Sequence, residues 1–228
     1  MPSIVKPRPA RRVRGVHGRV RRPVVLRRPE PRITSRTPGD ARTIRNALVI
    51  ICLGALMSAI DATVTNVALD TLERDLHSSV ADVQWVMTAY LLSIAGVIPV
   101  SGWASRRFGA RRVYVWSLAL FGASSGLCAL AGSLGMLIGA RLLQGVAGGM
   151  LVPIGQLIAA EVAGPGRMGK MVSRIWMFSS VGSMAGPTLG GALLQGLGWR
   201  WIFLVNVPIS AVATVAAVYL LPHTPSRP

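Results

Sequence analysis

The stretch MLIGARLLQGVAGGMLVP, residues 136–153, holds a single charge, Arg141, in an otherwise uncharged and mostly apolar run. About 20 such residues make a helix that can cross a bilayer. A guanidinium is expensive inside lipid, so Arg141 needs either a partner or a route to water. Runs of the same character recur on both sides. Short polar breaks separate them, and 51% of all residues are hydrophobic. This composition predicts an all-α membrane protein, because a lipid-exposed backbone must satisfy its own hydrogen bonds.

The amino-terminal end has the opposite character. Residues 1–45 contain 13 Arg and one Lys against Glu30 and Asp40, together with seven of the 15 prolines. Without apolar periodicity, such a segment buries too little surface to offset the entropy of ordering, so 1–45 reads as a disordered basic arm. A secretory signal is not expected, since the first apolar run starts near residue 47 and exceeds the length of a signal core. The prolines also argue against an amphipathic mitochondrial presequence. Cys52 and Cys128 both fall in apolar runs, where they read as packing residues.

Six spans are expected, at 47–69, 85–104, 112–131, 136–160, 171–195 and 201–221, with a tail at 222–228. With the amino terminus inside, 22 Lys and Arg fall on the inner side and only Arg74 and Arg200 on the outer side. That bias places both termini in the cytoplasm. The expected location is the plasma membrane, as a multi-pass protein. The acidic stretch after span one, with Asp70, Glu73, Asp75 and Asp82, reads as a solvated outer loop.

Five stretches, in this order, resemble the major facilitator superfamily, and more narrowly its fourteen-helix drug:proton antiporters. IDATVTNVAL (60–69) is similar to the signature L-D-x-T-V-V-N-V-A-L-P of span one. GWASRRFGARRV (102–113) resembles the loop motif G-x-L-A-D-R-x-G-R-R through Gly102, Arg107, Gly109, Arg111 and Arg112. It departs at Arg106, where the family has an acid, and at Ala110. The opening stretch matches the fourth-helix signature R-x-x-Q-G-x-G at Arg141, Gln144 and Gly145, with Ala147 in place of the second glycine. GSMAGPTLGGALL (182–194) fits the antiporter motif G-x-x-x-G-P-x-x-G-G at Gly182, Gly186, Pro187, Gly190 and Gly191. GWRWIFLVNVPI (198–209) is similar to the family's entry into helix six.

The resemblance implies one six-helix half of such a transporter, a three-plus-three inverted repeat, working in proton-coupled efflux of drugs or other small amphipathic compounds. Asp61 lies about 21 Å along its helix, too deep for a short side chain to reach cytoplasmic water. It is the candidate proton-coupling carboxylate, with Arg141 as its partner and Gln144 on the same helix face as Arg141. By helix rise, Arg141 sits about 7 Å and Asp61 about 12 Å below the outer boundary. At that depth Arg141 has two readings, pairing with Asp61 or snorkelling to the outer headgroups. Pro187 predicts a kink in span five, and the glycines around it a flat face for close helix approach. Asn66, Met150, Trp176 and Met184 are candidates for a substrate cavity.

Family members carry twelve or fourteen spans, so a chain with six is expected to be a truncated or split-gene half, a half that pairs with a second half or a second copy, or a non-transporting remnant. No cofactor is expected; the proton gradient is the coupling source. The expected partners are the bilayer, a small-molecule substrate and, for the arm, anionic lipid headgroups. Nucleic acid is not expected, because the arm lacks interleaved aromatics. Neither a metal cluster nor a phosphate-cradling loop is present in the sequence, so an enzyme is not expected.

Overall fold

A computed structural model describes residues 40–164 and 166–222, so most of the basic arm and most of the tail lie outside it. The described residues form eight helices: α1 (Ala41–Val67), α2 (Leu69–Asp75), α3 (Val80–Phe108), α4 (Ala110–Ala129), α5 (Leu134–Ala163), α6 (Met168–Gly196), α7 (Arg200–Leu204) and α8 (Asn206–Leu220). Four segments are long and apolar enough to cross a membrane: α1, α3, α5, and α7 with α8. Helices α4 and α6 are also long, but serines and glycines dilute them, and α4 opens on Arg111 and Arg112.

The boundaries correct the sequence reading in three places. Helix α1 starts at Ala41, inside the stretch expected to be disordered, and takes Arg42 and Arg45 into its first turns. The acidic stretch expected as a loop is mostly helical. Helix α2 covers Leu69–Asp75, and α3 begins at Val80 because Ser79 caps it, its Oγ accepting from Asp82 N at 3.2 Å. The last span is interrupted at Val205, three residues before Pro208, whose ring nitrogen has no proton for the carbonyl of Leu204.

Helix directions follow from which residues meet. Gly182, Gly186 and Gly190 of α6 lie against Leu56, Thr63 and Val64 of α1, so these two helices run parallel. Gly145 and Gly149 of α5 meet Tyr90 and Val97 of α3 in the same sense. Helix α5 runs antiparallel to α1, with Gly148 beside Ser58 and Gly155 beside Ile51. Helix α4 runs antiparallel to α8, from Arg111 on the Val218 carbonyl to Gly122 against Ser210, and its Ser125 donates to the carbonyl of Phe203 in α7 at 2.8 Å. The long helices therefore alternate in direction along the chain, and the turn between α3 and α4 depends on Gly109 with φ 87°.

The apolar interior is two clusters rather than one. The first gathers Ile51, Ala55, Tyr114, Phe121, Ala147, Leu151 and their neighbours. The second gathers Val64, Val86, Cys128, Leu137, Ala140, Trp199 and Phe203. On α1, α4, α5 and α8 a polar residue occupies the junction between the two: Asp61, Ser125, Gln144 and Asn206.

Candidate functional site

That junction is the candidate site. Arg141 Nη1 donates to Asp61 Oδ2 at 2.6 Å, and both side chains are 0% exposed. The second guanidinium nitrogen, Nη2, donates to Thr65 Oγ1 at 3.0 Å. Asp61 Oδ1 accepts from Gln144 Nε2 at 3.1 Å and from Asn206 Nδ2 at 3.0 Å. Gln144 Oε1 in turn accepts from Arg141 Nη1 at 2.9 Å, and its amide also donates to Ser125 at 3.1 Å. Helices α5 and α8 thus converge on one carboxylate of α1, and α4 joins them through Ser125. Both oxygens of Asp61 and both terminal nitrogens of Arg141 have partners, which offsets part of the cost of burying the pair, while Arg141 Nε has none among the described residues.

Two aromatic rings complete the guanidinium's surroundings. Its carbon lies 4.2 Å from the centre of the Tyr90 ring and 5.4 Å from that of Phe203. Both rings offer the negative face of their quadrupole, which attracts a cation where water is excluded. The motif glycine at 145 explains the placement of Tyr90. A Cβ at that position would meet the Tyr90 carbonyl oxygen at 2.5 Å, so a larger residue would push α3 away.

The sequence-derived candidates divide clearly. Asp61, Arg141 and Gln144 meet, and the alternative of Arg141 snorkelling to headgroups is overturned by its complete burial among α1, α3 and α5. The five-position motif of span five divides too. Gly182, Gly186 and Gly190 pack on α1, while Gly191 faces open space. Helix α6 continues through Pro187. In the loop motif, Gly109 makes the turn and Arg111 donates to the Val218 carbonyl, tying α4 to the end of α8. Arg107 and Arg112 are exposed and Gly102 is partly buried.

The four cavity candidates do not share a cavity. Asn66 is exposed, Trp176 and Met184 are 53% and 80% exposed on α6, and Met150 packs against the first apolar cluster. An apolar cavity of about 180 Å³ lies elsewhere, among Leu53, Ile60, Leu189, Ile202 and Asn206, and none of the four lines it. The contributions of Thr65, Tyr90, Ser125, Asn206 and Phe203 were missed in the sequence. Asn206 carried a signal, being a lone amide between apolar residues in the stretch 198–209.

Residues 51–228 match the Major Facilitator Superfamily. The chain belongs to that superfamily. It is 43% identical over 184 residues to a multidrug resistance protein B homolog of Mycobacterium tuberculosis, an alignment covering 81% of this chain and 34% of the relative. The chain spans about a third of the length of the curated relatives it matches. Among solved structures it resembles the superfamily's proton:xylose symporter XylE bound to 6-bromo-6-deoxy-D-glucose. The TM-score is 0.70 at 18% identity, over 79% of this chain and 45% of that one, which speaks for the shared fold alone. This is a membrane protein of a transporter superfamily.

Proposed function

We propose that this chain is a six-span half of a proton-coupled antiporter that exports drugs or other small amphipathic compounds across the plasma membrane, with both termini in the cytoplasm. The observation that carries the reading is the fully buried Asp61–Arg141 pair with Gln144 and Asn206 on the same carboxylate. A proton arriving on Asp61 removes the charge that Arg141 is bound to. The guanidinium then keeps Thr65 and the two aromatic faces but loses its counterion, which gives the two protonation states different preferred packings. The proton gradient supplies the drive, and no cofactor enters.

Helix pairing supports a three-plus-three organisation. Exchanging spans one, two and three (α1, α3, α4) for spans four, five and six (α5, α6, α8) turns the α1–α6 contact into α5–α3, and α4–α5 into α8–α1; all four pairs are packed together. The alternating helix directions support termini on one side, and the excess of inner Lys and Arg supports the cytoplasm as that side. Names of relatives support drugs as the substrate class. Transport in this superfamily runs between two six-helix halves, so the exposed apolar residues of α6, Trp176 and Met184, are assigned to the face toward a second half or a second copy.

Proteoliposomes holding the purified chain test the reading. A pH gradient should drive exchange of a cationic dye, and Asp61→Asn should abolish the gradient dependence. Equal dye flux from both proteins would remove Asp61 from the coupling. Absence of flux from either would show that the chain transports nothing without a separate second half.

A further inference from the structure

A second charged feature lies at the end of the bundle where α1 and α6 both begin. There a cavity of about 330 Å³ opens between the two helices. Helix α1 contributes Arg45 beside the apolar Ile44 and Leu48. Helix α6 contributes Lys170 and Arg174 over Met171, and Arg167 stands immediately before its first residue. A spacing of four places Lys170 and Arg174 on one face of α6. All four cations are exposed. The acids at this end are Asp40, just before α1, and Glu161, near the end of α5. Because α1 and α6 are parallel, both also turn their positive amino-terminal ends toward the cavity.

From this arrangement we infer that the cavity binds the phosphate-bearing headgroup of an anionic phospholipid. Four converging cations suit a phosphodiester, and the apolar floor suits the glycerol and the first methylenes of the acyl chains. A free phosphate would use the cations and leave the floor without a function. Arg174 sits about 9 Å along α6 from its start, a depth consistent with the headgroup zone of a bilayer. The inference rests on the membrane-spanning reading of these helices and does not require that the chain transport anything.

The test titrates the purified full chain in detergent with short-chain phosphatidylglycerol, phosphatidylcholine or inorganic phosphate, counting bound lipid by native mass spectrometry. Phosphatidylglycerol should be retained, phosphatidylcholine should not, and millimolar phosphate should fail to displace the lipid. Lys170→Gln with Arg174→Gln should weaken phosphatidylglycerol binding about thirtyfold. Lys170→Arg should preserve binding, and so should Arg42→Gln, which removes a neighbouring cation outside the cavity. Unchanged binding in the double variant, an equal loss in Arg42→Gln, or full displacement by phosphate would each overturn the assignment. Dye exchange is not a readout here, so failure of the transport reading and failure of this one are separable.

Discussion

The guanidinium of Arg141 reaches across from α5 to within 2.6 Å of the Asp61 carboxylate on α1, and water touches neither side chain. Eighty positions separate them in sequence. Breaking such a pair from one side strands a buried charge, whereas removing both charges leaves a dry site that can repack. Asp61→Asn and Arg141→Met alone should each destabilise the protein by about 3–5 kcal/mol. The double variant should recover most of that loss in a thermal-unfolding assay in detergent, while remaining inactive in dye exchange. Additive destabilisation would mean that the two side chains are not coupled.

Tyr90 offers a ring to Arg141 and a hydroxyl to Ser58, at 3.4 Å. Tyr90→Phe keeps the ring and should change stability little. Tyr90→Leu should cost about 1–2 kcal/mol beyond that, from the lost cation–π contact. A thermal shift that is the same for both variants would assign the stabilisation to the hydroxyl instead.

The span-five motif makes a contrast within a single helix. Gly186 packs against Thr63 so closely that a Cβ would overlap its side chain, while Gly191 has open space. Gly186→Val should destabilise by about 1–3 kcal/mol or more through overpacking. Gly191→Ala should stay within about 0.5 kcal/mol of the parent. Equal effects at the two positions would contradict the α1–α6 packing.

Asn206 and Asn66 make a second contrast. Asn206 donates to Asp61 from a fully packed site, and Asn66 stands exposed. Asn206→Leu should destabilise by about 1–3 kcal/mol, because Asp61 Oδ1 then keeps only Gln144. Asn66→Leu should leave unfolding unchanged. A larger effect at Asn66 would reverse the assignment.

The architecture was legible because lipid enforces it. Long apolar runs have one solution, helices, and the depth of Asp61 marked it as a carboxylate in need of a partner, with Arg141 as the candidate beside the alternative of snorkelling. Gln144 followed from its spacing of three from Arg141. The rest of the site was hidden because its members come from five helices and share no local pattern. Ser125 and Thr65 are ordinary small polar residues in sequence, and Tyr90 reveals its role only when Gly145 brings α3 against α5. The substrate-cavity candidates failed for a related reason. A methionine or tryptophan in an apolar run suits the interior and the lipid-facing surface equally, and periodicity alone could not separate Met150, which packs inward, from Met184, which does not.

The division of the interior into two apolar clusters also has an electrical consequence. Asp61, Arg141, Gln144 and Asn206 form a thin polar layer between two apolar slabs, one around Tyr114 and Phe121, the other around Trp199 and Phe203. Apolar slabs of this kind are poor media for a charge, so on the proposed mechanism a proton bound for Asp61 crosses one slab at a time. Parting both together would short-circuit the membrane. The stability of the two slabs therefore limits leakage, and substitutions such as Phe121→Ser or Phe203→Ser would be expected to raise passive proton permeability before they impair binding of any substrate.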